Sequence, residues 1–278
     1  MRSWIWIPLA STVVLTTTVG SGYADLAARV IPSKLSLTVK PGQPVGRDIT
    51  VQNMGGATVV VSTRLADWTM SERGELDVVA AGTTPATLQG LVTFTPAEFS
   101  LEPLASGVIH VTMQLPARGP ATRWGVLLSE VRPATWPETP SGPRAVAELG
   151  TTLYLSSIPP DRIHTELTGM DVHPAGDKAF AVAVRVRNAG ERHLYSNGAI
   201  AVRDSAGHEV AADTLGTGVV LPGTDRTFTW THDAPIAPGL YTVSVTLDTG
   251  EPELIVGETE FRWPMPGPPA LRAQQDSR

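Results

Sequence analysis

Apolar and polar residues alternate along much of the sequence after residue 24. From Phe180 to Arg187, every second residue is Phe or Val, and two of the residues between them are arginine. The segments from Val108 to Leu115 and from Tyr241 to Leu247 repeat this period of two. A period of two places alternate side chains on opposite faces of a β-strand, so each segment is predicted to have one buried and one solvated face. Because helical periodicity is almost absent, the pattern predicts an all-β, antiparallel sandwich fold.

Glycine and proline separate the alternating segments, and the chain contains 26 glycines and 24 prolines. Three Pro-Gly pairs, in Lys40-Pro-Gly42, Leu221-Pro-Gly223 and Ala237-Pro-Gly239, are typical of type I and type II turns. Asp204-Ser-Ala-Gly207 is predicted to be a hairpin loop with Gly207 in the left-handed conformation.

A short internal repeat indicates two copies of one fold. The segment from Ile49 to Gly56 is echoed from Val184 to Glu191, and in both an alternating strand runs into Asn-x-Gly. A Leu and Pro turn follows later in each half, at Leu101-Glu-Pro103 and at Leu221-Pro222.

The two prolines of Ile158-Pro-Pro-Asp161 would interrupt a sheet, because proline fixes φ and lacks an amide hydrogen. We therefore predict two immunoglobulin-like β-sandwich domains in tandem, at residues 25–158 and 161–264. Residues 265–278 are predicted to form a Pro-rich flexible tail.

The N-terminus has the features of a secretory signal peptide. Arg2 precedes a stretch of apolar, Thr and Ser residues from Trp4 to Val19, and small residues flank Tyr23. We predict cleavage after Ala24, and hence a periplasmic or extracellular protein. The alternative is an uncleaved anchor, since the stretch approaches the roughly 20 residues that a spanning helix needs. No transmembrane segment is predicted in the mature chain.

Charge and composition exclude several functions. The formal net charge is −6, and the absence of any basic run argues against a nucleic-acid partner. The chain has no cysteine, hence neither disulfide nor thiol nucleophile. None of the six histidines has another at the spacing of a zinc site, and His208-Glu209 is followed by Ala212 where a metalloprotease motif needs a second histidine. We predict no catalytic residue, no metal site and no cofactor.

The tryptophans of the mature chain are divided by their surroundings. Trp136 lies in the Pro-rich stretch 133–143 and is expected to be exposed, which makes it a candidate ligand platform. The others, predicted to serve the core or to lie between sheets, are Trp68, Trp124, Trp230 and Trp263.

Several segments of the first half carry a resemblance to a known family. In chain order they are Lys34–Val39, Ile49–Asn53, Phe94–Pro103, Arg123–Val131, Glu148–Leu155 and the Ile158-Pro-Pro junction. With these segments, residues 31–160 resemble the N-terminal domain of the PapD-like periplasmic chaperones of pilus assembly. The second half is similar to a generic bacterial immunoglobulin-like module.

The resemblance implies a mechanism and a set of binding residues. Such chaperones lend the last strand of their first domain to an incomplete subunit, by β-strand addition. In this chain the implied donor residues are Ala147, Leu149, Thr151 and Leu153. Lys34 would be the basic anchor for the subunit's C-terminal carboxylate. The strand from Glu148 to Leu155 contains no basic residue for a second anchor.

Two functional hypotheses follow. The first is a periplasmic chaperone-like protein that binds β-rich secreted or pilus-type subunits by strand addition. The alternative is a non-catalytic cell-surface structural or adhesion module, whose sandwiches present loops or pack within an assembly.

Overall fold

The computed structural model describes residues 26–136, 145–158, 164–176 and 178–265. Within these ranges every regular element is a β-strand, and no helix is long and apolar enough to cross a membrane. The described residues divide into two compact units, residues 26–69 with 76–158 and residues 70–75 with 164–265. The predicted signal peptide at 1–24, residues 137–143 of the Pro-rich stretch, the junction prolines Pro159 and Pro160, and tail residues 266–278 lie outside the described residues. The domain limits at 158 and 161 therefore stay a prediction.

Ten strands form the first unit. They are β1 (Ala28–Ile31), β2 (Lys34–Thr38), β3 (Val45–Asn53), β4 (Val59–Met70), β5 (Leu76–Ala80), β6 (Val92–Thr95), β7 (Glu98–Leu101), β8 (Ser106–Met113), β9 (Thr122–Pro133) and β10 (Ala147–Ser156). One sheet has the order β1-β3-β8-β6. The other has the order β2-β10-β9-β4-β5, with β7 also paired to β4.

Two prolines mark the points where the chain passes from one sheet of the first unit to the other. Pro32 separates β1, which pairs with β3, from β2, which pairs in parallel with β10. Pro96 likewise separates β6 from β7. Proline cannot donate to a ladder, so the strand is interrupted there and its continuation joins the opposite sheet.

The core of the first unit lies between its two sheets. Ile109, Val111 and Met113 of β8 are buried, whereas His110 lies on the exposed face of the same strand. These positions confirm the prediction, made from the alternation, of which side chains of β8 are buried. Trp68 is buried and donates Nε1–H to the carbonyl of Gly125 at 3.2 Å, as expected for a tryptophan of the core.

Seven strands form the second unit. They are β11 (Thr165–Pro174), β12 (Phe180–Asn188), β13 (Leu194–Asp204), β14 (Glu209–Val220), β15 (Asp225–His232), β16 (Gly239–Asp248) and β17 (Ile255–Trp263). The sheets have the orders β11-β12-β15 and β14-β13-β16-β17. The predicted inward residues are all buried, namely Phe180, Val182, Val184 and Val186 on β12 and Tyr241, Val243, Val245 and Leu247 on β16. Each unit is an immunoglobulin-like β-sandwich, which confirms the predicted fold class.

Two of the three predicted Pro-Gly turns have the expected backbone. Gly42 and Gly223 have positive φ angles, and so does Gly207 in its hairpin loop. Gly239 has no positive φ and begins β16, so the third Pro-Gly pair does not have the type II backbone.

The internal repeat corresponds to a repeated hydrogen-bonding centre. In the first unit, Asn53 Nδ2 donates to the carbonyls of Ala57 (2.8 Å) and Glu102 (3.0 Å), and its Oδ1 accepts the N–H of Gly55. Its own N–H donates to Ala105 at 2.9 Å. The buried amide therefore fastens two loops to the end of β3.

Asn188 has the same role in the second unit. Its Nδ2 donates to the carbonyls of Arg192 (2.8 Å) and Val220 (3.0 Å), and its Oδ1 accepts the N–H of Gly190. Its backbone N–H donates to Thr224 at 3.0 Å. The two units thus repeat one local structure around equivalent asparagines.

Candidate functional site

Strand β10 has different neighbours along its two edges. On one side it pairs with β9 over all ten residues, from Ala147 to Ser156. On the other side it pairs with β2 from Thr152 to Ser156. No strand in the described part of the chain pairs with residues 147–150 on that side. We call these four residues the β10 edge.

The backbone groups at the β10 edge follow from the period of a strand. The N–H of Thr152 donates to the carbonyl of Ser33 at 3.0 Å, so the polar groups of residue 152 face away from β9. Groups of every second residue face the same way, which places the N–H and C=O of Gly150 and Glu148 on the open side. An unpaired row of this kind can accept a further strand.

The chain at residues 32–34 ends the β10 edge. Thr151 Oγ1 donates to the carbonyl of Pro32 at 2.9 Å, and Lys34 is paired with Thr152. Lys34 is exposed and begins β2. The structure therefore brings the residue expected to be a basic anchor onto the strand next to the implied donor residues.

The four implied donor residues differ in burial. Ala147 and Leu149 are half-buried and pack against the margin of the core. Thr151 and Leu153 are fully buried; Leu153 is paired with Leu35 of β2, and the hydroxyl of Thr151 donates to the carbonyl of Pro32. Val146, just before the strand, is 46% exposed. The accessible apolar surface is therefore concentrated at the beginning of β10.

A basic residue that the sequence did not suggest contacts Glu148 of the β10 edge. Arg64 Nη2 contacts Glu148 Oε1 at 2.7 Å, although 84 residues separate the two. The register places Arg64 beside Leu128 of β9, which is itself paired with Gly150. Arg64 and Glu148 come close only because β4, β9 and β10 are aligned in one sheet. Their separation in the sequence therefore did not indicate the contact.

The other candidate residues do not form a chemical site. His208 is exposed, and its Nδ1 contacts Asp204 of the same hairpin loop at 3.2 Å. The amide of His208 also donates to Asp204, and this bond lowers the pKa of that carboxyl. Among the described residues no group of three or more His, Asp or Glu side chains could hold a metal ion. Trp136 is half-buried, so the prediction that it is exposed is wrong.

Comparison with known proteins gave matches among solved structures. No protein-family model matches the chain, and no curated protein matches it. The chain is similar to a component of a chaperone–tip adhesin complex of CFA/I fimbriae, with 12% identity over 83% of this chain and 97% of that chain and a TM-score of 0.46. For the YadV chaperone the identity is 12% over 84% and 99% of the two chains, with a TM-score of 0.45. For the CupB2 chaperone of Pseudomonas aeruginosa it is 15% over 77% and 91%, with a TM-score of 0.40. Two of these three structures are named as chaperones, and the third belongs to a complex that contains one.

Proposed function

We propose that this chain is an exported, non-catalytic chaperone-like protein that binds β-rich secreted or surface subunits by strand addition at the β10 edge. One observation carries the proposal: β10 is paired along its whole length with β9 but only over its second half with β2. Strand addition needs a row of accessible backbone groups together with alternating apolar side chains, and in the first half of β10 the backbone groups of Glu148 and Gly150 and the side chains of Ala147 and Leu149 would serve. The periplasm is the compartment that the resemblance implies.

The geometry restricts how a partner would bind. Its extended segment would form backbone hydrogen bonds with Glu148 and Gly150, and its side chains would contact Leu149 and Ala147. A segment whose C-terminus lies at Lys34 would run parallel to β10 and stop where β2 begins. The ammonium group of Lys34 would then pair with the terminal carboxylate through charge-assisted hydrogen bonds.

Two features favour the alternative, a structural or adhesion module of the cell surface. The β10 edge has a charged residue, Glu148, which is held by Arg64, and charged residues are a common protection against unwanted pairing. Leu149 is the one bulky apolar side chain of these four residues. An edge protected in this way would bind no strand.

The test is capture of a subunit by the tagged mature chain, residues 25–278, from the cell envelope. Our hypothesis predicts recovery of a small β-rich protein in about equal amount. Glu148→Pro removes an N–H that faces the open side and introduces a ring there, without breaking the ladder with β9. We expect this variant to lose capture.

Glu148→Ala is the matched control, because it removes the ion pair with Arg64 but keeps the backbone N–H. We expect it to capture the subunit as the wild type does. Equal capture by Glu148→Pro and the wild type would contradict strand addition at this edge. Lys34→Ala in the same assay tests the anchor alone, since undiminished capture would remove Lys34 from the mechanism.

A further inference from the structure

Leu104 combines an unfavourable backbone conformation with an exposed apolar side chain. It lies in the turn between β7 and β8 and has a φ of 63°, the one positive φ of a non-glycine residue in the described ranges. The residue is 79% exposed, so packing against the described residues does not account for the leucine. A residue with a Cβ is disfavoured in the left-handed region.

The second unit provides an internal comparison for this turn. Residues 102–105 form a turn in which the N–H of Ala105 donates to Glu102, with Pro103 before Leu104. Residues 221–224 form the equivalent turn, in which the N–H of Thr224 donates to Leu221.

The position equivalent to Leu104 is Gly223, which follows Pro222 and has a φ of 72°. Type II turns favour glycine at this position. At this position the first unit therefore has leucine, whereas the second unit has glycine, the residue that this backbone conformation favours.

Hydrogen bonds from Asn53 hold the turn that contains Leu104 in place. The carbonyls on either side of the turn accept hydrogen bonds from Asn53, through Nδ2 to Glu102 and through the backbone N–H to Ala105. Met54, the next residue after Asn53, is 42% exposed. The accessible side chains of Leu104 and Met54 thus lie at the same end of the first sandwich. Asn53 is bonded to the turn that contains Leu104 and directly precedes Met54.

The β10 edge begins at that same end. The register in the sheet runs from Ala147 through Val131 and Val61 to Phe99. Leu101, two residues further along β7, leads into the Leu104 turn. β7 lies three strands from β10 on the β9 side, so a partner bound on the open side of β10 would contact Leu104 and Met54 by extending across this end of the sandwich.

We propose that Leu104 is an anchor that inserts into an apolar pocket of the partner protein bound at the β10 edge. The identity of the partner rests on the proposed function, whereas the conformation and exposure of Leu104 do not. Glu102 lies in the same turn and accepts a hydrogen bond from Thr58 at 2.9 Å. A negative charge beside the leucine favours a protein pocket over an anionic membrane surface.

The test compares Leu104→Gly with the wild type in stability and in binding of the subunit captured by the wild-type chain. Glycine removes the unfavourable conformation, so we expect the Tm of the isolated variant to be no lower than that of the wild type. Loss of a buried leucine from the interface should weaken binding about 10- to 100-fold. Leu104→Asn should weaken binding to a similar extent, because asparagine tolerates the same left-handed backbone conformation.

Gly223→Leu is the control in the second unit. A Cβ there meets nothing within 4 Å, so the variant measures the cost of leucine in this conformation without a clash. We expect its Tm to fall by about 4 °C or more. Its subunit binding should not change.

The results of these experiments distinguish the anchor role of Leu104 from strand addition at the β10 edge. Wild-type affinity in Leu104→Gly, or a lowered Tm in that variant, would overturn the anchor. Weaker binding by Leu104→Gly together with normal binding by Glu148→Pro would retain the anchor and overturn strand addition. Recovery of no subunit by the wild-type chain would overturn both.

Discussion

At the scale of single residues, buried polar groups determine how the loops are held. Asp67 of β4 is completely buried in the first unit. It accepts hydrogen bonds from the backbone N–H groups of Gly82 (3.1 Å) and Thr84 (2.9 Å) and from the hydroxyls of Thr84 (3.2 Å) and Thr87 (2.7 Å). A carboxylate can accept all four bonds, which fasten the loop between β5 and β6 to β4.

Replacement of Asp67 by Asn should therefore destabilise the protein strongly. The new NH2 group would face either the donors of Gly82 and Thr84 or the hydroxyl of Thr87, whose oxygen already accepts the N–H groups of Gly82 and Gln89. Buried donors without a partner are costly. We expect the free energy of unfolding to fall by about 2–4 kcal/mol, measured by urea denaturation. Asp77→Asn, on an exposed position of β5, is the control and should change it by less than about 0.5 kcal/mol. A loss that small in Asp67→Asn would contradict this role.

Asp213 gives a prediction about pH. The backbone N–H of Thr214 (2.7 Å) and the Nε1–H of Trp230 (3.1 Å) donate to its carboxylate, and these bonds lower its pKa below the ordinary 3.8. A lowered folded-state pKa contributes stability above the unfolded pKa, and that stability is lost as the pH falls through the folded pKa.

Thermal unfolding of Asp213→Ala should show this pH dependence. We expect its Tm to be below that of the wild type at pH 7, and the difference to disappear near pH 2. Asp171→Ala, an exposed acid of β11 for which no such hydrogen bonds occur among the described residues, is the control. A Tm difference of equal size at both pH values would contradict the assignment.

At the scale of strands, the sequence predicts which side chains are buried much better than it predicts which strand edges are unpaired. Alternation identified the inward residues of β8, β12 and β16 because these residues are buried, whereas most of the residues between them are not. The pairing of β10 with β2 joins residues about 120 positions apart, and alternation contains no information about such a partner. That pairing decides which half of β10 is open, so the sequence alone does not locate the candidate site.

The same limit explains what was missed at the site. Lys34 and the four implied donor residues came from a resemblance to a family, and the structure brings them onto neighbouring strands. The ion pair between Arg64 and Glu148 depends on the register of β4, β9 and β10. Trp136 was expected to be exposed because prolines surround it, but burial depends on contacts that local composition does not describe.

At the scale of the whole molecule, the repeat was the most informative signal in the sequence. Two Asn-x-Gly segments and two Leu-Pro turns indicated two copies of one fold, and Asn53 and Asn188 join equivalent segments in the two units. The repeat also shows a difference: the first unit has Leu104 where the second has Gly223. Departures from an internal repeat are therefore the positions at which function is most usefully sought in this chain.

The central claim is that the first half of β10 accepts a strand from a partner, and amide hydrogen exchange of the mature chain tests it most directly. In the isolated protein, the amides of Glu148 and Gly150 should exchange rapidly, while that of Thr152, bonded to Ser33, should be protected. With the captured subunit bound, Glu148 and Gly150 should become protected as well. Protection of these two amides before the subunit is added, or unchanged rapid exchange in the complex, would contradict the account.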